Sequence, residues 1–93
     1  MNDIVKKIRR NGLKRKILDV FERNLQFGDA RQGYDCCMKL ESFGIRYSVT
    51  LGNAGNEQDF AEGLEACIED GDLHYITLES INGQKEIEFI CRK

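Results

Sequence analysis

The sequence predicts an α+β fold in which two or three N-terminal helices precede a β-α-β-β unit. Three observations support it: an Asn82-Gly83 turn between two β-rich runs, an apolar stripe at helical spacing in the N-terminal third, and strict alternation over residues 45–51. A right-handed crossover would make the strand at 45–51 parallel to the first hairpin strand. We therefore expect a small three-stranded mixed sheet, covered on one face by helices.

The C-terminal hairpin, residues 73–92, follows from its turn. Asn-Gly favours a two-residue loop because both central residues of a type I′ turn need positive φ. With Asn82 and Gly83 as the loop, Ile81 faces Gln84, and the pairing runs outward to His74 opposite Cys91. One face of the hairpin is then apolar and is made of His74, Ile76, Leu78, Ile87, Phe89 and Cys91. We expect the helices to pack on this apolar face, because the other face is mixed.

Two stretches of the N-terminal segment have helical spacing. Residues 3–10 contain Ile4, Val5 and Ile8, and Asn11-Gly12 then interrupts the pattern. The stripe resumes over residues 13–27 with Leu13, Ile17, Val20, Phe21 and Leu25. Glycine commonly ends helices, but it is also tolerated inside them at a cost of about 1 kcal/mol. The pattern leaves open whether one helix or two form here.

The middle of the chain is predicted as helix, strand, loop and helix. Residues 30–43 read as a helix with Asp29 as N-cap and Gly44 as its stop. Its inward stripe would be Gly33, Cys36, Cys37, Leu40 and Phe43. Residues 45–51 read as a half-buried strand, and residues 52–56 as a loop. The last helix, residues 57–70, would be capped by Asn56 and ended by Gly71.

Composition and charge indicate a single domain, residues 1–93, made of a basic helical N-terminal arm (1–27) on an acidic α+β body (28–93). The arm has eight basic and three acidic residues, a net charge of +5, whereas the body has six basic and thirteen acidic residues, a net charge of −7. Such a separation suggests an interaction surface at one end or both. No apolar run is long enough to cross a membrane, and we expect a cytoplasmic protein that binds no membrane.

The four cysteines and the single histidine are interpreted as structural residues. Their spacing has no zinc knuckle, and cysteine is often buried as a small apolar group. We therefore expect core cysteines with free thiols, no metal and no cofactor. Nucleophilic catalysis would need Cys36 or Cys37 to lie next to His74. His74, however, lies in a strand, on the face predicted to be buried, where a structural role is expected. The expected function is non-enzymatic.

Two functions fit these features. The first is a small intracellular protein-interaction or regulatory protein, inhibitor-like and without catalysis, whose partner is another protein or a second copy in a homodimer. Its contact residues would be the apolar helix face Leu13, Ile17, Val20, Phe21 and Leu25 together with the acidic Glu62, Glu65 and Glu69. The second, less favoured, is a nucleic-acid-binding module that uses Lys6, Lys7, Arg9, Arg10, Lys14, Arg15 and Lys16.

Overall fold

The structure, a computed structural model, describes residues 2–52, 55–80, 82–83 and 85–93. Its elements are α1 (Asn2–Arg23), β1 (Asp29–Arg31), β2 (Tyr34–Lys39), α2 (Leu40–Leu51), α3 (Glu57–Glu69), β3 (His74–Glu79) and β4 (Glu86–Arg92). The four strands form one antiparallel sheet in the order β1-β2-β4-β3. The α+β class is confirmed, but the three-stranded mixed sheet is wrong.

The N-terminal segment is one helix. Helix α1 continues through Gly12, and a Cβ added at that position would meet nothing within 4 Å. Because α1 begins at Asn2, the cations Lys14, Arg15 and Lys16 lie in its middle rather than at an unfavourable N-terminus. A short 3₁₀ turn, Leu25–Phe27, leads from α1 into the sheet.

The register of the C-terminal hairpin is confirmed from Glu79–Glu86 to His74–Cys91. All six pairs of β3 and β4 match the pattern counted from the Asn82-Gly83 turn. Gly83 has φ of 69°, a conformation that glycine adopts without a steric penalty, and the Ser80 amide donates to the Lys85 carbonyl at 2.8 Å. The predicted pair Ile81–Gln84 lies outside the described residues.

The helix predicted over residues 30–43 is wrong. Strands β1 and β2 occupy most of this segment and form a hairpin, in which Arg31 pairs with Tyr34 across a turn. Gln32 and Gly33 make the turn with φ of 50° and 85°, the conformation that tight two-residue hairpins require. Strand β2 is buried on both faces at Cys36, Cys37 and Met38, so its sequence shows no alternation that would reveal a strand. The same residues happen to satisfy helical spacing.

The strand predicted over residues 45–51 is also wrong, because this segment belongs to α2. The helix buries Phe43 and Tyr47, four residues apart, and leaves Ile45 and Val49 on its outer side. The alternation of apolar residues was therefore coincidental. Without a strand here there is no β-α-β crossover. The loop predicted over residues 52–56 contains residues 53 and 54, which lie outside the described residues.

Helix α3 and its ends agree with the sequence prediction to within one residue. The Asn56 side-chain oxygen accepts a hydrogen bond from the Asp59 amide at 2.8 Å, as expected of an N-cap. Beyond the helix, Gly71 has φ of 79°, and the Asp72 amide donates to the Cys67 carbonyl at 2.9 Å. This is the hydrogen bond of a glycine-terminated helix end.

The helices cover the face of the sheet opposite to the predicted one. The main core joins Met38 and Ile90 of the sheet to residues from all three helices. The predicted face, with Ile76, Leu78 and Phe89, forms a second, smaller cluster made of strand residues. The prediction failed because it assigned faces from the hairpin alone. Strand β2 adds Cys36 and Met38 to the side that had seemed mixed.

Aromatic rings fill the space between the helices in the main core. Phe43 of α2 contacts Phe21 of α1 with ring centroids 5.3 Å apart, and it contacts Phe60 of α3 at 5.4 Å. Tyr47 contacts Phe60 at 5.0 Å. All three pairs are edge-to-face, an arrangement that stabilises aromatic pairs beyond their simple burial. These rings connect the three helices with one another.

Helices α1 and α3 approach each other closely at Gly63. A Cβ added at Gly63 would lie 2.8 Å from the Leu13 carbonyl oxygen and 2.8 Å from a side-chain carbon of Ile17. The first contact is with backbone, which cannot rotate away. The missing side chain of Gly63 is therefore what allows the two helix backbones to come together.

We predict that Gly63→Ala destabilises the protein by about 1–3 kcal/mol, because the added methyl group forces α1 away from α3. The matched control is Gly12→Ala, also within a helix but with open space around it. It should stabilise the protein by roughly 0.5–1 kcal/mol, since alanine is the better helix former. Urea unfolding of the three proteins measures both changes. A Gly63→Ala midpoint equal to or above that of the parent would contradict the close contact.

Candidate protein-binding surfaces

The apolar helix face that was expected to meet a partner packs mostly inside the chain. Leu13, Ile17, Val20 and Phe21 are buried, and Leu25 is half-buried against the same core. The sequence predicts a partner because the apolar face of this helix exceeds what a small sheet can cover. In the structure, the rest of the same chain covers that face at its four buried positions. A role for these residues in binding a second protein stays a prediction.

The attraction between the basic arm and the acidic helix acts within one chain. Arg9 donates to Glu62 at 3.0 Å and approaches Asp59 at 3.4 Å. Arg10 donates to both oxygens of Asp70, at 2.7 and 2.9 Å. This bidentate geometry fixes the orientation of the guanidinium as well as its position. Glu65 and Glu69, the other acidic residues predicted to bind a partner, are exposed on α3 near this contact.

Asp70 is the centre of this charge cluster. The Lys14 ammonium lies 2.6 Å from Asp70 and 2.7 Å from Asp72, and so joins α1 to the segment after α3. Hydrogen bonds from Arg10 and then from Lys14 hold the pKa of the Asp70 carboxyl well below its usual range. The same contacts with Asp70 and Asp72 raise the pKa of Lys14. Both shifts favour the charged forms and therefore the docking of α1 on α3.

Four of the seven cations proposed for nucleic-acid binding remain at the surface. Lys6, Lys7, Arg15 and Lys16 are exposed and form no ion pair with other described residues. The other three, Arg9, Arg10 and Lys14, have acidic partners on or beside α3. The basic surface left for phosphate is therefore smaller than the sequence suggested, and acidic side chains lie next to it.

One face of the sheet carries no helix in the described structure. We call it the open face; its residues are Cys37 and Lys39 of β2, His74, Ile76 and Leu78 of β3, and Ile87, Phe89 and Cys91 of β4. Phe89 is buried, whereas Ile76, Leu78 and Ile87 are only half-buried. A cleft of about 570 Å³ lies over Leu78, Ile87 and Phe89. The apolar side chains of this face are thus partly available to another molecule.

A disulfide bond joins Cys37 to Cys91 across β2 and β4 in the open face. The expectation that all four thiols are free is therefore wrong for this pair. It failed because Cys37 was placed on a helix, so its position opposite Cys91 was not foreseen. His74 is opposite Cys91 on β3, as predicted, and its ring lies 5.2 Å from the ring of Tyr34.

The other two cysteines, Cys36 and Cys67, are free and buried in the helix-covered core. Burial raises the pKa of Cys67 to about 11 and also raises that of Cys36. Both thiols therefore stay protonated near neutral pH and are poor nucleophiles. Among the described residues, no group of three or more histidine, cysteine or acidic side chains is arranged to hold a metal ion.

Helices α2 and α3 enclose a second candidate surface, which the sequence did not reveal. A groove of about 550 Å³ runs between them, with Ile45 and Val49 on its α2 side and Phe60 on its α3 side. Tyr47 also lines this groove, and its buried hydroxyl has no hydrogen-bond partner in the described structure. Sequence reasoning missed the site because it placed residues 45–51 in a strand.

Comparison of the chain with protein-family models, with curated proteins and with solved structures finds no match. Among the helices in the described part of the chain, none combines the length and the apolar character that a membrane span needs. Cytoplasmic location stays a prediction, and disulfide bonds such as Cys37–Cys91 are more usual in oxidising compartments. Arguments about function therefore depend on the surfaces described above.

We predict that reduction of Cys37–Cys91 lowers the free energy of unfolding by roughly 4 kcal/mol, the loop-closure entropy for a separation of 54 residues. Urea unfolding with and without a reducing agent measures the change. The control is the double variant Cys37→Ser, Cys91→Ser, which should be insensitive to the reductant. Four reactive thiols in the unreduced, denatured parent would contradict the bond.

We predict that acid weakens the docking of α1 on α3 through Asp70. Its folded-state pKa lies below the unfolded value of about 4, so its stabilising contribution is complete above about pH 4 and is lost as pH falls through the folded pKa. Asp70→Asn should be less stable than the parent at pH 7, and its stability should fall less between about pH 5 and pH 2. Denaturant unfolding at several pH values measures this.

The control for Asp70 is Glu65→Gln on the same helix, an exposed carboxylate without an ion pair among the described residues. Its stability should follow the pH dependence of the parent. An acid-induced loss of stability that is as large in Asp70→Asn as in the parent would place the responsible carboxylate elsewhere.

Proposed function

We propose that this chain is a small protein-binding module, regulatory and inhibitor-like, that acts without catalysis and holds its partner on the open face of the sheet. The observation that supports the proposal is the arrangement of that face. Helices of the described structure cover the sheet on one side only, and the other side carries half-buried apolar residues beside a cleft of about 570 Å³. Apolar surface of this kind, bordered by polar residues, is typical of protein-interaction sites.

The charges around the open face favour a partner with acidic residues beside its apolar ones. The Arg31 guanidinium lies 4.7 Å from the centre of the Phe89 ring, and Lys39 pairs with Phe89 across β2 and β4. Lys93 lies 6.0 Å from the centre of the Tyr34 ring. An apolar segment flanked by carboxylates would place its side chains on Ile76, Leu78 and Ile87 and its charges near these cations.

Arg31 supports the same inference by its incomplete hydrogen bonding. Its Nε atom is buried and has no hydrogen-bond partner in the described structure, and its only ion pair there is with Asp29 at 3.7 Å. That distance is long for a charged hydrogen bond. A carboxylate supplied by a partner would satisfy a guanidinium that the described residues leave only partly paired.

The cysteine and histidine chemistry supports binding rather than catalysis. A nucleophilic pair would need a thiolate near His74, but the nearest cysteines form the Cys37–Cys91 disulfide. The free thiols of Cys36 and Cys67 are buried and have raised pKa values. We therefore give His74 a structural role, with its ring tilted against that of Tyr34 at the end of the open face.

Nucleic-acid binding remains the alternative, and it is weaker. Intramolecular ion pairs engage Arg9, Arg10 and Lys14, and the acidic residues of α3 lie beside the cations that remain. Phosphate contacts would have to come from Lys6, Lys7, Arg15 and Lys16. Such binding should weaken steeply with added salt, whereas binding at an apolar sheet face should change much less.

The proposal is tested with peptides selected from a displayed library on the immobilised protein. We expect enriched peptides to carry apolar residues flanked by Asp or Glu. Leu78→Asp should lower their affinity at least about tenfold, because it places a charge in the centre of the binding surface. Val49→Asp is the matched control: it puts the same charge on an exposed apolar position of α2, on the helical side, and should leave the affinity unchanged.

Mapping of the bound peptide by amide chemical shifts completes the experiment. Shifts should concentrate on Ile76, Leu78, Ile87 and Phe89. Enriched peptides that bind Leu78→Asp as well as they bind the parent would show that the open face is not the site. Tight, salt-sensitive binding of a labelled duplex or single strand, lost in the double variant Lys6→Glu, Lys16→Glu, would favour the alternative.

A further inference from the structure

The N-terminal end of α1 carries an apolar strip that faces solvent. Ile4, Val5 and Ile8 are 66%, 61% and 68% exposed. At 3.6 residues per turn, Ile4 and Ile8 lie on the opposite side of α1 from Leu13 and Ile17, which pack toward α3. We call Ile4, Val5 and Ile8 the arm strip. Three large apolar side chains exposed together on one helix end are a feature that usually marks a contact surface.

The groove between α2 and α3 is a recess with matching properties. Ile45 and Val49, one helical turn apart, are 57% and 68% exposed and form part of its wall. Gly44 also lines the groove, and the Phe60 ring lies 3.8 Å from the position of a Cβ at that residue. Helices commonly associate by packing the side-chain ridges of one helix into the grooves of its neighbours.

A buried polar atom at the groove lacks a partner. The Tyr47 hydroxyl is buried and makes no hydrogen bond with any described residue, although buried hydroxyl groups normally make one. Tyr47 is one of the residues that line the groove, and its ring packs edge-to-face on that of Phe60. An incoming polar group would satisfy it. This is an observation independent of the apolar lining, and it also indicates that the groove receives another molecule.

The charges of the two surfaces are opposite. Of the four basic residues among residues 2–10, Lys6 and Lys7 form no ion pair with other described residues, and Asp3 is the one acidic residue of this stretch. Among the described residues that line the groove, Glu41 and Glu57 are acidic and none is basic. On the helix, Lys7 follows Ile4 by three residues and so lies beside the arm strip. An arm docked in the groove would bring Lys7 near these carboxylates and the Tyr47 hydroxyl.

The arm of a chain does not reach its own groove in this fold. Helix α1 is continuous from Asn2 to Arg23, and Arg9 and Arg10 hold it along α3 with the arm strip pointing away. A series of contacts nevertheless connects the base of the arm with the edge of the groove. Arg9 contacts Asp59, and the side chain of Asp59 is hydrogen-bonded to Asn56, which lines the groove.

We propose that the chain forms a two-fold dimer in which the arm strip of each copy docks in the α2–α3 groove of the other. Because arm and groove lie close together in one chain, a two-fold axis can bring each arm to the other groove at once and so close the assembly. This dimer is distinct from contacts through Leu13, Ile17, Val20 and Phe21, which are buried within the chain. It also leaves the open face of the sheet free.

The test is cross-linking in trans with a short bifunctional thiol reagent. A chain carrying Ile8→Cys is mixed with a chain carrying Val49→Cys, and the parent, whose free cysteines are buried, serves as the background. We expect a covalent dimer in the mixture and much less in either variant alone. Absence of the mixed cross-link would overturn the proposal.

The double variant Ile8→Cys, Val49→Cys tests the symmetry. Two-fold exchange should give covalent dimers and nothing larger. A ladder of higher species would show an open head-to-tail chain, and a cross-link within one chain would show that the arm reaches its own groove. Either of these results would overturn the two-fold exchange.

Sedimentation provides the measurement without cross-linking. Ile8→Asp and Val49→Asp should each weaken dimerisation at least about tenfold, because each places a charge in the buried contact. Both positions are exposed in the single chain, so the circular dichroism spectrum and the thermal midpoint of the monomer should stay close to those of the parent. The matched control, Leu78→Asp on the open face, should dimerise like the parent. A parent that stays monomeric through the micromolar range would overturn the proposal.

Tyr47→Phe tests the hydroxyl separately. If the docked arm satisfies that group, the variant should dimerise several-fold more weakly than the parent. The stability of its monomer should not fall, because no described residue pairs with the hydroxyl there. Equal dimer affinity in Tyr47→Phe and the parent would show that the hydroxyl takes no part in the contact. The proposal would then lose the support that this hydroxyl gives it.

Discussion

The contact between α1 and α3 at Gly63 is the constraint on which the arrangement of the helices depends. Only a residue without a side chain lets the backbone of Leu13 come this close. From that contact follow the burial of Ile17, the position of Arg10 over Asp70 and the packing of Phe21 against Phe43. A larger residue would lift α1 away from α3 and open the core to water. The ion pairs fix the orientation of α1, whereas the apolar contact supplies most of the stability, since exposed ion pairs contribute little.

The sequence predicted correctly those features that short segments determine alone. The register of β3 and β4 matches the one counted from Asn82-Gly83, and the Asn56 cap and Gly71 set the ends of α3. The prediction of helices and strands failed over residues 30–51, where the structure depends on contacts with distant parts of the chain. A strand buried on both faces, as β2 is, has no alternation, and only its pairing with β1 and β4 shows that it is a strand. The Gln32-Gly33 pair was the one local signal of a turn, and it was interpreted as part of a helix.

The surfaces were harder to predict than the helices and strands, because they too depend on contacts between distant parts of the chain. Charge separation is visible in the sequence, but the fold decides that Arg9 and Arg10 meet α3 of the same chain. The apolar stripe of α1 seemed too large for a three-stranded sheet. In the structure β2, β4 and the two other helices cover it. The open face and the α2–α3 groove both depend on the segment that was misassigned, so no argument from the sequence could have located them.

The disulfide gives a physical reason why one face of the sheet can stay uncovered. A chain of 93 residues has one modest core, and a cross-link adds to the stability that this core supplies. Helices stabilise β2 and β4 from one side through Met38 and Ile90. On the other side, where a second layer would otherwise be needed, Cys37–Cys91 holds the same two strands together. The cross-link therefore stabilises the sheet without covering Ile76, Leu78 and Ile87. A second helical layer would have provided the same stability but would have left no surface there for a partner.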